Sequence, residues 1–265
     1  MNFNELFQYK DLDMFYCDID SERERERERE RERGILINED CIKVMQSLDN
    51  DIIDCVITDP PYNISRPNNF TTMGNKSRIG MDFGEWDKGF NLTNYINEFP
   101  RILKENANVI IFNAWENLSE IKNACERNNI TIKRCLVLSK SNPAPFNRDR
   151  MFVNDVEFAL WGIYNSKNKP TKWTFNRINS LEKCVINTTV QSSKYHPTMK
   201  DIKVISYLVK LLSNENNLIL DCFMGSGTVP LACKENNRRF LGIELDTKYF
   251  NVAKNRFTID NKDKV

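Results

Sequence analysis

Four consecutive residues after an apolar segment combine the groups needed to hold a planar amino group. The apolar run 52–58 leads into Asp59, Pro60, Pro61 and Tyr62. Two prolines in succession impose an extended turn and remove two N–H donors, so that backbone carbonyls can face a cleft as acceptors. A carboxylate and a carbonyl together accept both hydrogen bonds of an NH2 group, and a tyrosine ring offers a face for base stacking. The turn therefore favours a site for the exocyclic amino group of a flipped base over a simple proline turn.

A glycine-rich turn later in the chain has the composition of a cofactor-binding loop. The apolar run 217–223 leads into a turn that contains Gly225 and Gly227, and a helix-like stretch follows. Glycines allow close approach of the backbone to a ligand and supply N–H donors at a helix start. The spacing is not the GxGxxG of dinucleotide-binding folds. Glu244 ends the next strand-like run, where a carboxylate can accept both hydroxyls of a ribose. Together the two features indicate a ribose-bearing cofactor.

The elements that position these residues alternate between strand-like and helix-like segments. Strand-like runs occupy residues 35–37, 52–58, 108–112, 130–138, 156–163, 217–223 and 238–244. Helix-like stretches lie near residues 40–48, 91–104, 115–128, 200–213, 228–237 and 246–257. Apolar strands between helices predict an α/β fold, with a mainly parallel sheet covered by helices on both faces. In such a sheet ligands bind at the carboxyl ends of the strands.

These motifs resemble the amino-methylating DNA methyltransferases. The resemblance covers roughly residues 34–257 and is greatest to the permuted (beta group) bacterial adenine-specific enzymes, in which the Asp-Pro-Pro-Tyr turn precedes the glycine motif. It implies a seven-stranded Rossmann-like methyltransferase sheet with circularly permuted motif order. It also implies S-adenosyl-L-methionine as cofactor, duplex DNA as substrate and no metal.

The resemblance assigns roles to individual residues. Asp59, Pro60, Pro61 and Tyr62 would be catalytic. The cofactor would be bound by Asp40, Cys41, His196, Thr198, Asp221, Phe223, Gly225, Gly227, Thr228 and Glu244. The chain departs from the family at Cys222, where a proline is usual, and at Met199-Lys200-Asp201, which replaces a Gln-Lys-Pro run. At neither departure do we expect a side chain to be needed for the chemistry.

The charge is balanced overall but uneven along the chain. The net charge is +1, yet residues 165–210 hold nine basic and two acidic side chains. In the order of the family, residues 165–194 correspond to a target-recognition insert, and local basic faces can bind phosphates. The residues expected to contact DNA are Arg66, Lys140, Arg148, Arg150, Lys167, Lys169, Lys172, Arg177 and Lys194. Because the insert is short, we expect that a homodimer is needed to bind duplex DNA.

Six Glu-Arg dipeptides at residues 22–33 mark the N-terminal part of the chain as separate from the folded part. We expect an appendage at residues 1–33, a methyltransferase domain at residues 34–257 and a tail at residues 258–265. A GA-repeat tract in the gene would encode the dipeptides, and slippage in it would switch expression on and off. Eight cysteines without a CxxC pair, no long apolar run and no secretory signal predict a reduced, cytoplasmic protein.

The sequence is compatible with several activities. The first is site-specific methylation of adenine N6 in duplex DNA, by an orphan enzyme or by one paired with a cognate restriction endonuclease. N4-cytosine methylation is the nearest alternative, because cytosine also presents an NH2 group. A catalytically silent DNA-binding subunit of a modification complex is a third candidate. Methylation of RNA or of a protein glutamine amide is a fourth.

Overall fold

The computed structural model describes residues 13–16, 34–63, 89–143, 149–150, 152–167, 169, 172–189 and 199–259. These residues form one mixed sheet flanked by helices. In chain order the strands are β1 (Asp13–Tyr16), β2 (Gly34–Asn38), β3 (Ile53–Thr58), β4 (Leu103–Asn113), β5 (Ile130–Lys140), β6 (Val156–Tyr164), β7 (Val185–Thr188), β8 (Leu218–Asp221) and β9 (Arg239–Glu244). The helices are α1 (Cys41–Ser47), α2 (Phe99–Ile102), α3 (Leu118–Arg127), α4 (Ile202–Leu212), α5 (Thr228–Glu235) and α6 (Thr247–Ile259). Two 3-10 turns, Asn94–Glu98 and Trp115–Asn117, precede α2 and α3.

The order of strands across the sheet brings distant parts of the chain together. It runs β1-β2-β9-β8-β3-β4-β6-β5-β7. The five neighbours from β2 to β4 are parallel, so their carboxyl ends share one edge. Strand β6 is antiparallel to β4 and β5, and its first residues therefore lie at that same edge. We refer to this edge as the carboxyl edge.

Alternate residues of the central strands enter two different cores. Ile35 and Ile37 of β2 pack into the core that contains α1 and α3, whereas Leu36 packs into the core that contains α4, α5 and α6. Strand β3 behaves in the same way, with Val56 on one side and Ile57 on the other. This alternation is the geometry of a pleated strand buried on both faces. The predicted cover of helices on both faces is confirmed.

The seven expected strands are all present, but the sheet differs from the expectation in two respects. It has nine strands in the described residues, and the pairings of β1 with β2, β4 with β6 and β5 with β6 are antiparallel. The added strands are the short β1 and β7. Strand β1 lies within residues 1–33, before the domain start that we expected at Gly34, and it extends the sheet beside β2.

The helix expected at residues 91–104 is shorter and less regular than predicted. Only Asn94–Glu98 and Phe99–Ile102 are helical, the first of them as a 3-10 turn, and β4 begins at Leu103. Pro100 falls in the first turn of α2, where its missing N–H is tolerated. Leu103 pairs with Ile53 of β3, so strand pairing begins where a helix was predicted to continue.

Candidate active site

A cavity of about 860 Å³ opens at the carboxyl edge of the sheet. Its wall includes Asp59 after β3, Asp221 at the end of β8, Glu244 at the end of β9 and Asn113 at the end of β4. The two motifs singled out in the sequence therefore share one cavity. This is the position expected for a ligand in an open α/β sheet.

The Asp-Pro-Pro-Tyr turn is held by contacts at both of its ends. The hydroxyl of Tyr62 donates to Asp59 Oδ1 over 2.5 Å. Asn117, which precedes α3, donates from Nδ2 to the carbonyl oxygen of Tyr62 over 2.6 Å and to Asn113 Oδ1 over 2.7 Å. Asn63 exchanges two hydrogen bonds with the backbone of Phe90, at 2.6 and 2.9 Å. The carboxylate and the ring are thus brought to the cavity by a fixed turn.

The glycine turn after β8 depends on the backbone freedom of its glycines. Gly225 and Gly227 have φ angles of 52° and 80°, in the left-handed region. A Cβ atom at Gly227 would lie 3.0 Å from Cβ of Ala253 on α6, so the helix packs directly against the turn. Gly227 is also the N-cap of α5. A side chain at this position would be strained by both its φ angle and its neighbour.

Two acidic groups in the cavity wall have shifted pKa values. Burial raises the pKa of Asp221 to about 8, although Phe223 N and Thr58 Oγ1 both donate to its Oδ1 and oppose the shift. Burial likewise raises the pKa of Glu244 to about 7, against donors from Asp246 N and Gly225 N. Burial makes the charged form of both carboxyls costly. A ligand that offers positive charge or hydroxyl donors would stabilise their charged forms.

The other described residues expected to bind the cofactor lie around the same cavity. Asp40 caps α1, and its Oδ1 accepts hydrogen bonds from the backbone of Ile42 and Lys43. Cys41, Phe223 and Thr228 also lie in the cavity wall. The rings of Phe223 and Tyr95 pack edge to face, with their centroids 5.1 Å apart. His196 and Thr198 lie outside the described residues.

The cavity wall has donors and acceptors that suit S-adenosylmethionine. Tyr95 Oη and Asn113 Nδ2 are buried and have no hydrogen-bond partner in the described part of the chain. Buried polar atoms of this kind are rare without a partner, and both residues line the cavity. With the carboxyls of Asp221 and Glu244, they form a set that matches a ligand with ammonium, hydroxyl and acceptor groups. The residues present therefore fit the cofactor.

A chain of charged side chains that was not predicted continues from Asp59. Lys200 Nζ lies 2.6 Å from Asp59 Oδ2 and 3.5 Å from Glu157 Oε2, and Lys140 Nζ lies 2.7 Å from Glu157 Oε1. We expected no functional side chain in the run Met199-Lys200-Asp201, but its position makes Lys200 a candidate for one. Its sequence neighbours His196 and Thr198 were assigned from the family motif, but no local pattern indicated that Lys200 reaches Asp59.

Those residues expected to contact DNA that the structure describes lie at two opposite edges of the sheet. Lys140 is ion-paired within the cavity wall, and Arg150 is exposed in the connection between β5 and β6 at the carboxyl edge. Lys167 and Lys169 follow the end of β6, which is at the opposite edge of the sheet, next to a contact between Ser166 N and Glu105.

Two further predicted contacts flank a segment anchored away from the cavity. Lys172 and Arg177 are exposed on either side of Thr174, whose carbonyl accepts from Asn108 Nδ2 over 2.8 Å. Asn108 pairs with Cys55 near the start of β3, so this contact lies toward the amino ends of the parallel strands. Arg66, Arg148 and Lys194 lie outside the described residues.

Two negative findings concern the described residues alone. No helix among them is long and apolar enough to cross a membrane. Within the same ranges, no group of three or more His, Cys, Asp or Glu side chains could hold a metal ion.

Comparisons with known proteins place the chain in a family. The family model described as DNA methylase matches residues 53–255. The Type II methyltransferase M2.DpnII of Streptococcus pneumoniae is 27% identical over 246 residues, which are 86% of this chain and 91% of the relative. The Type II methyltransferase M.HinfI of Haemophilus influenzae is 27% identical over 83% of this chain and 67% of its own length.

Solved structures agree with this placement. The crystal structure of the M1.HpyAVI–SAM complex matches with a TM-score of 0.65 and 30% identity, over 83% of this chain and 98% of that one. The cytosine-N4-specific PvuII DNA methyltransferase matches with a TM-score of 0.64 at 14% identity, over 87% of this chain and 92% of that one, and so shares the fold. The chain belongs to the DNA methylase family, and this confirms the activity predicted from its sequence, that of an S-adenosylmethionine-dependent DNA methyltransferase.

Proposed function

We propose that the chain transfers a methyl group from S-adenosylmethionine to N6 of an adenine that is flipped out of duplex DNA. The observation that carries the proposal is that Asp59 and Tyr62 share one cavity with Asp221 and Glu244. An amino-group acceptor and a set of cofactor contacts thus line one cavity. A base that enters beside Tyr62 reaches the same volume as a cofactor held by the two acids.

The residues of the turn would orient the amino group. Asp59 accepts one N–H and the carbonyl of Pro60 accepts the other, so that the nitrogen lone pair is left for the methyl group. Tyr62 stacks on the base, which contributes about 1–3 kcal/mol toward the few kcal/mol that unstacking costs. S-adenosylmethionine supplies a methyl group on a positively charged sulfur, so alignment of the amino group is the main task of the protein.

The remaining cavity residues would hold the cofactor. Glu244 accepts its ribose hydroxyls, and Asp40 lies at the adjoining end of β2, where the family motif meets the adenine. Asp221 and the glycine turn from Gly225 to Thr228 contact its methionine part. We assign His196 and Thr198 to the same part on the family resemblance.

Methylation of DNA with labelled cofactor tests the proposal. The purified protein is incubated with labelled S-adenosylmethionine and unmethylated genomic DNA, and the digested nucleosides are separated by chromatography. We expect the label in N6-methyladenine. Label in N4-methylcytosine would overturn the choice of base and keep the site. Absence of label with intact cofactor binding would contradict DNA methylation by this chain alone.

The Asp59→Ala variant tests the site within the same assay. Loss of the acceptor leaves the amino group unaligned, and we expect the rate to fall by about 10²-fold or more. Binding of S-adenosylmethionine, measured by calorimetry, should be unchanged. A variant that keeps the wild-type rate would remove Asp59 from the reaction.

The finer classification and the partners are also proposals. Asp59 precedes Gly225 in the chain, which supports the permuted beta group. We assign residues 34–257 to the catalytic domain, with a recognition insert near 165–194. The relatives named Type II methyltransferases support a restriction-modification role, with a cognate endonuclease. We further propose a homodimer on DNA, since the insert is short; light scattering with and without DNA would test this.

We also propose that expression of the gene is switched by its Glu-Arg tract. The six dipeptides at residues 22–33 precede all the motifs. A gain or loss of one GA dinucleotide in the gene would shift the reading frame and so abolish the whole enzyme. Sequencing of many clonal isolates tests this. We expect tract lengths that differ between clones, and an invariant tract would refute the switch.

A further inference from the structure

The side chain of Lys200 occupies the centre of the charged groups around the Asp-Pro-Pro-Tyr turn. The side chain is 9% exposed, and its Nζ lies 2.6 Å from Asp59 Oδ2 and 3.5 Å from Glu157 Oε2. The same atom lies 3.2 Å from the hydroxyl of Tyr62. A lysine ammonium has three donors, and here each has an acceptor within reach. The lysine side chain is therefore held in one position by its contacts with the turn and with Glu157.

We propose that Lys200 is a positioning residue for methyl transfer, which fixes the carboxylate of Asp59 in the orientation that receives the target amino group. The inference rests on the proposed function, because that function makes Asp59 the acceptor. It assigns Lys200 to the reaction through Asp59 and not through contact with the base.

The orientation of Asp59 depends on two donors from different parts of the chain. The hydroxyl of Tyr62 holds Oδ1 at 2.5 Å, and Lys200 Nζ holds Oδ2 at 2.6 Å. With both oxygens held, the carboxylate cannot rotate about its terminal bond without loss of a hydrogen bond. Each carboxylate oxygen accepts two hydrogen bonds, so a place for the incoming N–H remains. Loss of Lys200 would free one end of the carboxylate.

The charge of Lys200 balances the acidic groups around Asp59. Glu157 on β6 and Asp221 on β8 are acidic groups near it, and Lys200 separates it from Glu157. Lys140 on β5 pairs with Glu157 from the other side. Burial by itself would lower the pKa of Lys200, but the carboxylates of Asp59 and Glu157 raise it well above its usual value, so the ammonium stays charged. Without this charge, acidic groups would face one another in a poorly solvated space.

The test compares Lys200→Met with Lys203→Met, an identical change on the exposed face of α4 three residues away. The kcat and KM of DNA methylation are measured at steady state, and cofactor binding is measured by calorimetry. For Lys200→Met we expect kcat to fall about 10²-fold, as for a misplaced reacting group, with cofactor affinity unchanged. We expect the KM for DNA to change little, because Lys200 acts through Asp59 and not through contact with the base. Lys203→Met should behave as the wild type.

A second variant guards against loss of folding. Lys200→Arg keeps the positive charge and a donor toward Asp59, so it should recover part of the kcat lost in Lys200→Met, and thermal unfolding should show both variants to be folded. If Lys200→Arg is as slow as Lys200→Met, or if Lys200→Met keeps the wild-type kcat, the inference is overturned. If the wild type does not methylate adenine, or Asp59→Ala is fully active, the proposed function fails instead.

Discussion

The amide N–H of Gly225 donates to Oε2 of Glu244 over 2.9 Å. Through this contact the turn after β8 holds the acid that ends β9, and Asp246 N holds the other oxygen at 2.8 Å. Both oxygens are oriented by backbone donors, and each retains capacity for one more hydrogen bond. The glycine turn and the acid, separate in sequence, therefore act as one ribose-binding unit in the proposed site.

The Glu244→Gln variant should bind the cofactor more weakly. An amide offers one acceptor oxygen where the carboxylate has two, and it would set an NH2 group against a backbone N–H. We expect cofactor binding to weaken by about 1.5–3 kcal/mol, as for loss of a hydrogen bond to a charged group. Calorimetric titration checks this, with Glu235→Gln, at the end of α5, as the matched control. Equal affinities for the two variants would remove Glu244 from the cofactor site.

The raised pKa of Asp221 predicts a pH dependence of stability. The folded protein holds this proton up to about pH 8, whereas the unfolded chain releases it near the ordinary aspartate pKa of 3.8. Between those values the folded state binds more protons, so this group's contribution to the free energy of unfolding falls as pH rises. Asp221→Asn should remove that slope and stabilise the cofactor-free protein near pH 8 by roughly 1–3 kcal/mol. Urea unfolding at several values between about pH 5 and about pH 8 measures the slope.

The same group predicts that cofactor binding releases protons. A cationic ligand beside Asp221 would favour its charged form and bring its pKa back down. Binding should therefore tighten as pH rises toward 8, and calorimetry in buffers of different ionisation enthalpy should report release of protons near neutral pH. In Asp221→Asn fewer protons should be released on cofactor binding, because only Glu244 would then release them. Binding that releases no protons would show that neither acid faces the ligand's donors.

Asn117 is expected to matter for catalysis more than for cofactor binding. It donates to the carbonyl of Tyr62 and to Asn113 Oδ1, so Asn117→Ala removes both of these hydrogen bonds. We expect a stability loss of about 1–3 kcal/mol and a lower methylation rate, with cofactor affinity little changed. Asn128→Ala removes comparable hydrogen bonds to Asn97 and Ala124. That control should lose stability without a selective loss of rate; a parallel loss in both variants would contradict the role of Asn117.

The placement of the basic residues predicts unequal effects on DNA binding. Lys167 and Lys169 lie at the edge of the sheet opposite the cavity, so Lys167→Glu/Lys169→Glu should leave DNA affinity nearly unchanged. Arg150→Ala, at the carboxyl edge, should weaken binding and reduce the slope of log affinity against log salt by about 1. Fluorescence anisotropy with a labelled duplex over a range of salt measures both. A large effect of the double lysine variant would place DNA along the opposite edge.

The sequence by itself determined the seven central strands and the motif residues at their ends. Apolar runs such as 52–58 and 108–112 are long enough to identify buried strands, because a strand covered on both faces must be apolar at nearly every position. Asp59, Glu244 and the glycine turn were found for a related reason. Their residue types at a strand end are chemically unusual and so can be recognised without knowledge of the contacts.

Only the tertiary structure decided which other residues join the site. Lys200, Glu157 and Asn117 are ordinary polar residues in their local sequence, and nothing in their spacing connects them to Asp59 or Tyr62. Lys200 reaches Asp59 across 141 residues, because the chain returns to the carboxyl edge before α4. The basic charge of residues 165–194 was evident from the sequence, but its location was not. Because β6 is antiparallel to β4, Lys167 lies at the edge of the sheet opposite the cavity. Sequence patterns report which groups are present, while the paths of the strands determine which of them meet.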